Sequence, residues 1–189
     1  GVSRTVLREA LKTLEAKGLV EARPKVGTRV SPKSRWNFFD SQVLAWHFHA
    51  PADPVFYSNL FAVRAALELP AVEGAARHRT AEDVRIMKYW LHQVATAGDS
   101  VEQFGLAALE IHGQIAEASQ NTLLRGVVGV VELLLALALT RQPETLQAYC
   151  AQSIENLEAI IQAIEAGKVD AARDHLAAGI ALDHQRLLD

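Results

Sequence analysis

A single cysteine, Cys150, in 189 residues leaves nothing to pair with. A disulfide framework is therefore excluded, and a reducing compartment is the natural setting. Cys150 lies in a helical stretch and reads as a small buried hydrophobe. No run is both apolar enough and long enough to span a bilayer. The most apolar, 127–139, contains Glu132 and falls short of the roughly 20 residues a span needs, so a buried core helix is expected and no membrane partner. The opening residues are polar and charged, which sets the expectation of no secretory leader and a cytoplasmic, nucleoid-associated location. No glycine-rich phosphate loop and no Ser–His–Asp or Cys–His ordering is legible, which argues against an enzyme. From about residue 54 onward there is no strand pattern and no repeat of fixed period.

What is present is unevenly distributed. Half the residues are hydrophobic, enough for one large domain or a small one beside a medium one. Residues 1–36 carry nine Lys and Arg against three acids, whereas the remainder carries ten against nineteen. A basic end on an acidic body suggests a polyanion-binding module joined to something else.

The basic end has a readable order. Ser3 is a plausible N-cap, and Leu7, Ala10, Leu11 and Leu14 recur at i, i+3, i+4, i+7, predicting a helix over 3–17 with one buried face. Gly18 suits the position that ends it. Residues 19–23 and 28–30 read as short strands around a Pro24–Gly27 turn. A helix followed by a small basic hairpin is the second half of a winged helix-turn-helix. Its helix start can enter a major groove, where Arg4 and Arg8 reach guanine edges or phosphates. Ser3 and Thr5 can bond phosphate oxygens beside free helix-start amides. The wing, with Lys25, Gly27, Thr28 and Arg29, would lie near the backbone or minor groove.

Those residues carry a resemblance. Val2-Ser3-Arg4, Arg8-Glu9-Ala10-Leu11, Leu14, Gly18-Leu19-Val20 and Gly27-Thr28-x-Val30 closely resemble the recognition helix and wing of the GntR family of bacterial regulators. The resemblance implies DNA contacts from Arg4 and Arg8, assisted by Ser3, Thr5 and the wing tip. It also implies one or two further helices ahead of residue 1 in the family's domain, so that this stretch by itself should bind DNA poorly.

Domain 1–31 is thus read as the winged-helix part. Residues 32–52 form a linker, in which 35–48 (RWNFFDSQVLAWHF) reads as a short amphipathic helix latching two domains. That segment resembles one found in sugar-acid regulators of the same family, including galactonate-responsive ones. Residues 53–189 read as helices only, near 54–77, 81–97, 100–119, 121–141, 145–166 and 169–187, with Thr80 and Asp83 placed for a capping box and Pro70 expected to kink or interrupt the first. Short loops imply antiparallel neighbours. The predicted fold is mostly α: a partial winged helix followed by a six- to seven-helix antiparallel bundle. Segments 60–84, 110–124 and 159–176 resemble the FadR-type effector (FCD) domain.

Most members of that branch hold a divalent metal with an Asp one turn before a His on one helix and two further His on the last two. Carried over residue by residue, these positions are Ala108, His112, Leu157 and Gly179. One ligand of four remains, and a lone imidazole holds a metal poorly, so no metal cofactor is expected; a site rebuilt with Glu110 and His175 is the lesser alternative. Arg64 is the leading ligand residue, because a guanidinium on an inward face needs a partner and suits a carboxylate bidentately. Glu68 at i+4 is its expected internal partner, and His112 a further hydrogen-bonding group. His175, Asp183 and His184 read as surface residues of the last helix. The implied protein is a homodimeric repressor that binds a palindromic operator in double-stranded DNA and senses a small organic acid, with sugar acids favoured by the linker resemblance. An acyl-CoA sensor and a constitutive DNA-binding protein with a degenerate pocket are the alternatives.

Overall fold

The computed structural model describes residues 1–23, 25–48 and 53–188, with the side chains of 47 and 48 excepted. It divides into two compact units, 1–50 and 51–189.

In the first unit, α1 (Arg4–Ala16) is capped by Ser3, whose Oγ accepts from the Val6 amide at 3.2 Å. Strands β1 (Val20–Arg23) and β2 (Gly27–Val30) pair antiparallel, Val20 opposite Val30 and Arg23 opposite Gly27. The turn between them takes Lys25 (φ 62°) and Gly27 (φ 90°) through left-handed backbone; Pro24 lies outside the described residues. A 3-10 turn, Lys33–Arg35, and α2 (Ser41–Phe48) follow. Asp40 starts α2 by accepting from the Gln42 and Val43 amides. The part of the segment read as a linker that precedes α2 is bonded to the wing: the Asn37 amide donates to Lys17 O, Trp36 Nε1 to Ser31 O, and Lys17 Nζ to Asp40. Residues 49–52 of that linker lie outside the described residues.

Two expectations for this unit change. The Leu7–Leu14 face of α1 is not buried: no α1 residue is, and Leu7 is half exposed, because β1 is the element packed on it among the described residues. Gly18 does more than end a helix. Its φ is 74°, and a Cβ there would lie 2.1 Å from Arg35 O. Left-handed backbone alone costs a non-glycine residue about 1–2 kcal/mol, so Gly18→Ala is expected to destabilise this unit by more than that, read from its unfolding midpoint.

The second unit is a bundle of six helices: α3 (Pro54–His78), α4 (Ala81–Thr96), α5 (Val101–Ala118), α6 (Val128–Thr140), α7 (Leu146–Glu165) and α8 (Val169–Leu188). A 3-10 turn, Thr122–Val127, leads into α6 and splits the single helix predicted there. Thr80 and Asp83 form the predicted capping box. Pro70 does not interrupt α3; a proline removes one helical bond, the one to Ala66 O, and the buried face carries the helix through. α8 packs on α3 and α7, and α5 on α3, α4 and α6. Two helical segments, Pro54–His78 and Thr122–Thr140, have the length and mean hydropathy of a membrane span. The second is longer than the apolar run 127–139. It is also more than half buried, as befits a core helix. Cys150 is only half-buried, and that burial pushes its thiol pKa up.

Candidate functional site

Inside this apolar bundle runs a chain of buried polar side chains. On α3, Arg64 and Glu68 stand one turn apart, 2% and 3% exposed. Arg64 Nε donates to Glu68 Oε2 at 2.6 Å, and Arg64 Nη1 to Asp183 Oδ2 on α8 at 2.5 Å. His112 Nδ1 on α5 meets Glu68 Oε1 at 2.6 Å. Tyr149 on α7 donates its hydroxyl to Asp183 Oδ1 at 2.7 Å. Four helices are thus joined through one guanidinium and two carboxylates, every carboxylate oxygen accepting a bond.

The electrostatics follow from this pairing. Burial opposes the charge on Glu68, but His112 and Arg64 outweigh it and hold its pKa down to about 2. Burial likewise opposes the Arg64 cation, and Glu68 and Asp183 more than compensate, raising its pKa. Burial and the Asp183 charge push the Tyr149 phenol well above its ordinary range, so it acts as a neutral donor.

A cavity of about 30 Å³ opens beside this chain, lined by Arg64, His112, Tyr149, Ser153, Asn156 and Asp183 together with apolar groups. That is space for one or two waters, far less than a sugar-sized acid needs. Ala108, His112, Leu157 and Gly179 all line it, so the four positions carried over from the family converge on one place. Their side chains do not fit a metal. Ala108 and Leu157 are hydrocarbon, Gly179 offers nothing, and the Asn156 amide fills the space before it, 2.5 Å from where a Cβ would sit. Glu110 and His175, the candidates for a rebuilt site, are exposed; only the His175 carbonyl approaches, accepting from Asn156 Nδ2. Among the described residues no three His, Cys, Asp or Glu are grouped to hold a cation.

Of the residues singled out from sequence, Arg64, Glu68 and His112 come together. Asp183 is a correction: expected at the surface, it is 6% exposed and central. The reason is register. Ala172, Leu176, Ile180, Asp183 and Leu187 share the buried face of α8, a spacing that marks Asp183 as inward. Tyr149 was missed in the same way, one and two turns before Ser153 and Asn156 on the cavity side of α7. His184 is part-buried, its ring edge-on to Phe61 and its Nε2 without a hydrogen-bond partner among the described residues.

The basic residues of the first unit sort themselves. Lys12 pairs with Glu9, Lys17 with Asp40, and Arg23 and Arg35 with Glu21. Arg4, Arg8, Lys25 and Arg29 are exposed and have no carboxylate partner among the described residues. Thr5, Gly27 and Thr28 are exposed beside them, while Ser3 is committed to its cap.

A basic helix with a two-stranded wing, followed in the chain by a six-helix bundle around a small polar cavity, defines the class: a regulator built from a winged-helix module and an all-helical one. The chain belongs to the FCD-domain branch of the GntR family. The FCD domain profile matches residues 59–181, and that of the bacterial regulatory proteins of the gntR family matches residues 1–30. The chain is 37% identical over 131 residues to the uncharacterized HTH-type transcriptional regulator YieP of Escherichia coli, a match covering 66% of this chain and 55% of that protein. It is 26% identical to the galactonate operon transcriptional repressor of Escherichia coli, over 98% of this chain and 81% of that one. Among solved structures, the Listeria monocytogenes regulator Lar superposes with a TM-score of 0.70 at 16% identity, over 100% of this chain and 81% of Lar. Escherichia coli McbR/YncC gives 0.65 at 18%, over 99% and 86%. These share the predicted fold. The family and its relatives are transcriptional regulators rather than enzymes.

Proposed function

We propose that this chain acts as a ligand-responsive transcriptional repressor. Its helical unit senses a small carboxylate metabolite, and its basic helix and wing bind an operator. The observation that carries the reading is the buried chain His112–Glu68–Arg64–Asp183–Tyr149 beside a cavity. Burying charges in a core is rarely the stable choice, and four helices meeting at one such cluster give a ligand a purchase on all of them. The galactonate operon repressor and the putative L-lactate dehydrogenase operon regulatory protein of Escherichia coli, 29% identical, point to hydroxy acids as the effector class. Effector binding would shift a population of homodimers between forms that do and do not hold a palindromic site. No metal is invoked.

The test uses the full-length protein and the DNA upstream of its own gene. Arg4→Ala and Arg8→Ala are each expected to weaken binding by about 5- to 150-fold, the equivalent of 1–3 kcal/mol for a base-edge arginine. A phosphate-only role would instead lower the salt dependence by about one counterion. D-galactonate or L-lactate should raise the melting temperature of the helical unit with concentration, equally with and without chelator, and release the DNA. A melting temperature indifferent to both acids would favour the second reading, a constitutive DNA-binding protein. The small cavity and the fully paired Arg64 are the observations on that side.

A further inference from the structure

We infer that Asp183 occupies the place of the effector's carboxylate, and that an acid effector binds by displacing it from Arg64. The inference rests on the effector reading above.

The geometry begins with what already sits in the site. One carboxylate there is held at both oxygens, by Arg64 Nη1 at 2.5 Å and by the Tyr149 hydroxyl at 2.7 Å. A guanidinium and a phenol converging on the two oxygens of one group make a carboxylate receptor, with charge-assisted bonds of the strong kind. Its present occupant is the chain's own side chain, brought 119 residues along the sequence to reach Arg64.

The two acids on Arg64 are not equivalent. Glu68 is local, one turn along α3, and is anchored a second time by His112; it does not line the cavity. Asp183 does line it, and belongs to a different helix. A carboxylate entering the cavity therefore meets Arg64 on the Asp183 side. It cannot simply be added, for two reasons. A cavity of about 30 Å³ has no room for it. A guanidinium already shared by two buried carboxylates would also face a third negative charge where repulsion is poorly screened. Exchange answers both: the ligand takes the bonds that Asp183 gives up.

Other lining groups suit the rest of a hydroxy acid. Ser153 and Asn156 lie on the same face of α7 as Tyr149 and line the cavity. The class assigned is a monocarboxylate with hydroxyls near the acid group. The consequence is specific to α8, which loses its ion pair to α3 and its bond to Tyr149 when the ligand enters.

Amide hydrogen exchange on the full-length protein tests this, with saturating D-galactonate or L-lactate as the acids and galactitol as the uncharged control. The expected result is faster exchange at residues 180–186 of α8 with either acid while α3 around residue 64 slows, and no change with galactitol. Asp183→Asn keeps a partner for Tyr149 but removes the competing charge. It should bind the acid about tenfold more tightly, within the usual range of such couplings, and show no further loosening of α8. If the acid binds and α8 is unchanged or slower, or if galactitol binds as well as the acid, the exchange mechanism is wrong and the regulator reading stands. If neither acid binds the unaltered protein, the effector reading falls and this inference with it. Should Asp183→Asn fail to fold, the exchange measurement on the unaltered protein decides alone.

Discussion

Arg64→Ala is expected to destabilise the helical unit by about 3–5 kcal/mol, the usual result of removing one partner from a buried ion pair. The loss comes less from missing attraction than from what remains. Glu68 and Asp183 would both stay buried, 3% and 6% exposed, with His112 and Tyr149 as their remaining partners. Chemical denaturation of the variant measures it. The informative companion replaces the whole cluster, Arg64→Met with Glu68→Leu and Asp183→Leu. Swapping a complete buried ionic group for apolar side chains is often neutral or stabilising, so the triple variant should recover most of the loss. If it is as unstable as Arg64→Ala, the cluster is a structural keystone and the argument that it is kept for binding fails.

The second large effect is acid sensitivity. Glu68 has its pKa lowered from 4.5 to about 2 in the folded protein, burial being outweighed by His112 and Arg64. A carboxylate whose folded pKa lies below its unfolded one stabilises the native state at pH values above the unfolded pKa. That contribution is lost as the pH falls from about 4.5 towards 2. At 1.36 kcal/mol per unit, the full contribution at neutral pH is about 3 kcal/mol. Urea unfolding followed from pH 7 down to pH 2.5 should show this slope below pH 4.5, and Glu68→Gln should flatten it. An equal slope in the variant would place the acid sensitivity in other carboxylates.

How these residues could be read in advance differs along the chain. The helical unit was legible because periodicity, caps and breaks agree: Thr80 with Asp83, Asn121 and Gly167 each stand where an element ends or starts. Arg64 and Glu68 were legible because a charged i, i+4 pair on an inward face needs an explanation. Asp183 and Tyr149 were not, because their meaning depends on contacts between distant helices. Their burial could be counted from α8 and α7 periodicity, but their partners could not. The apolar face of α1 shows the opposite error. Spacing fixes which side of a helix is apolar, and only the neighbouring elements decide whether that side is covered. The four positions carried over from the family line one cavity, yet how Asn156 fills the space at Gly179 is visible only in three dimensions.

Arg186 gives the end of the chain a part in finishing its middle. Its guanidinium, buried and stacked on Tyr149, donates to the carbonyls of Ala138, Arg141 and Gln142 and to the Thr145 hydroxyl. They lie at the end of α6 and in the turn into α7, where Gln142 takes left-handed backbone and its carbonyl also accepts from the Thr145 amide. Orphan carbonyls at a buried helix end need such a partner. During synthesis α6 emerges first and Arg186 more than forty residues later. Until then the most apolar helix of the protein, though already able to pack on α5, lacks the partner for its terminal carbonyl.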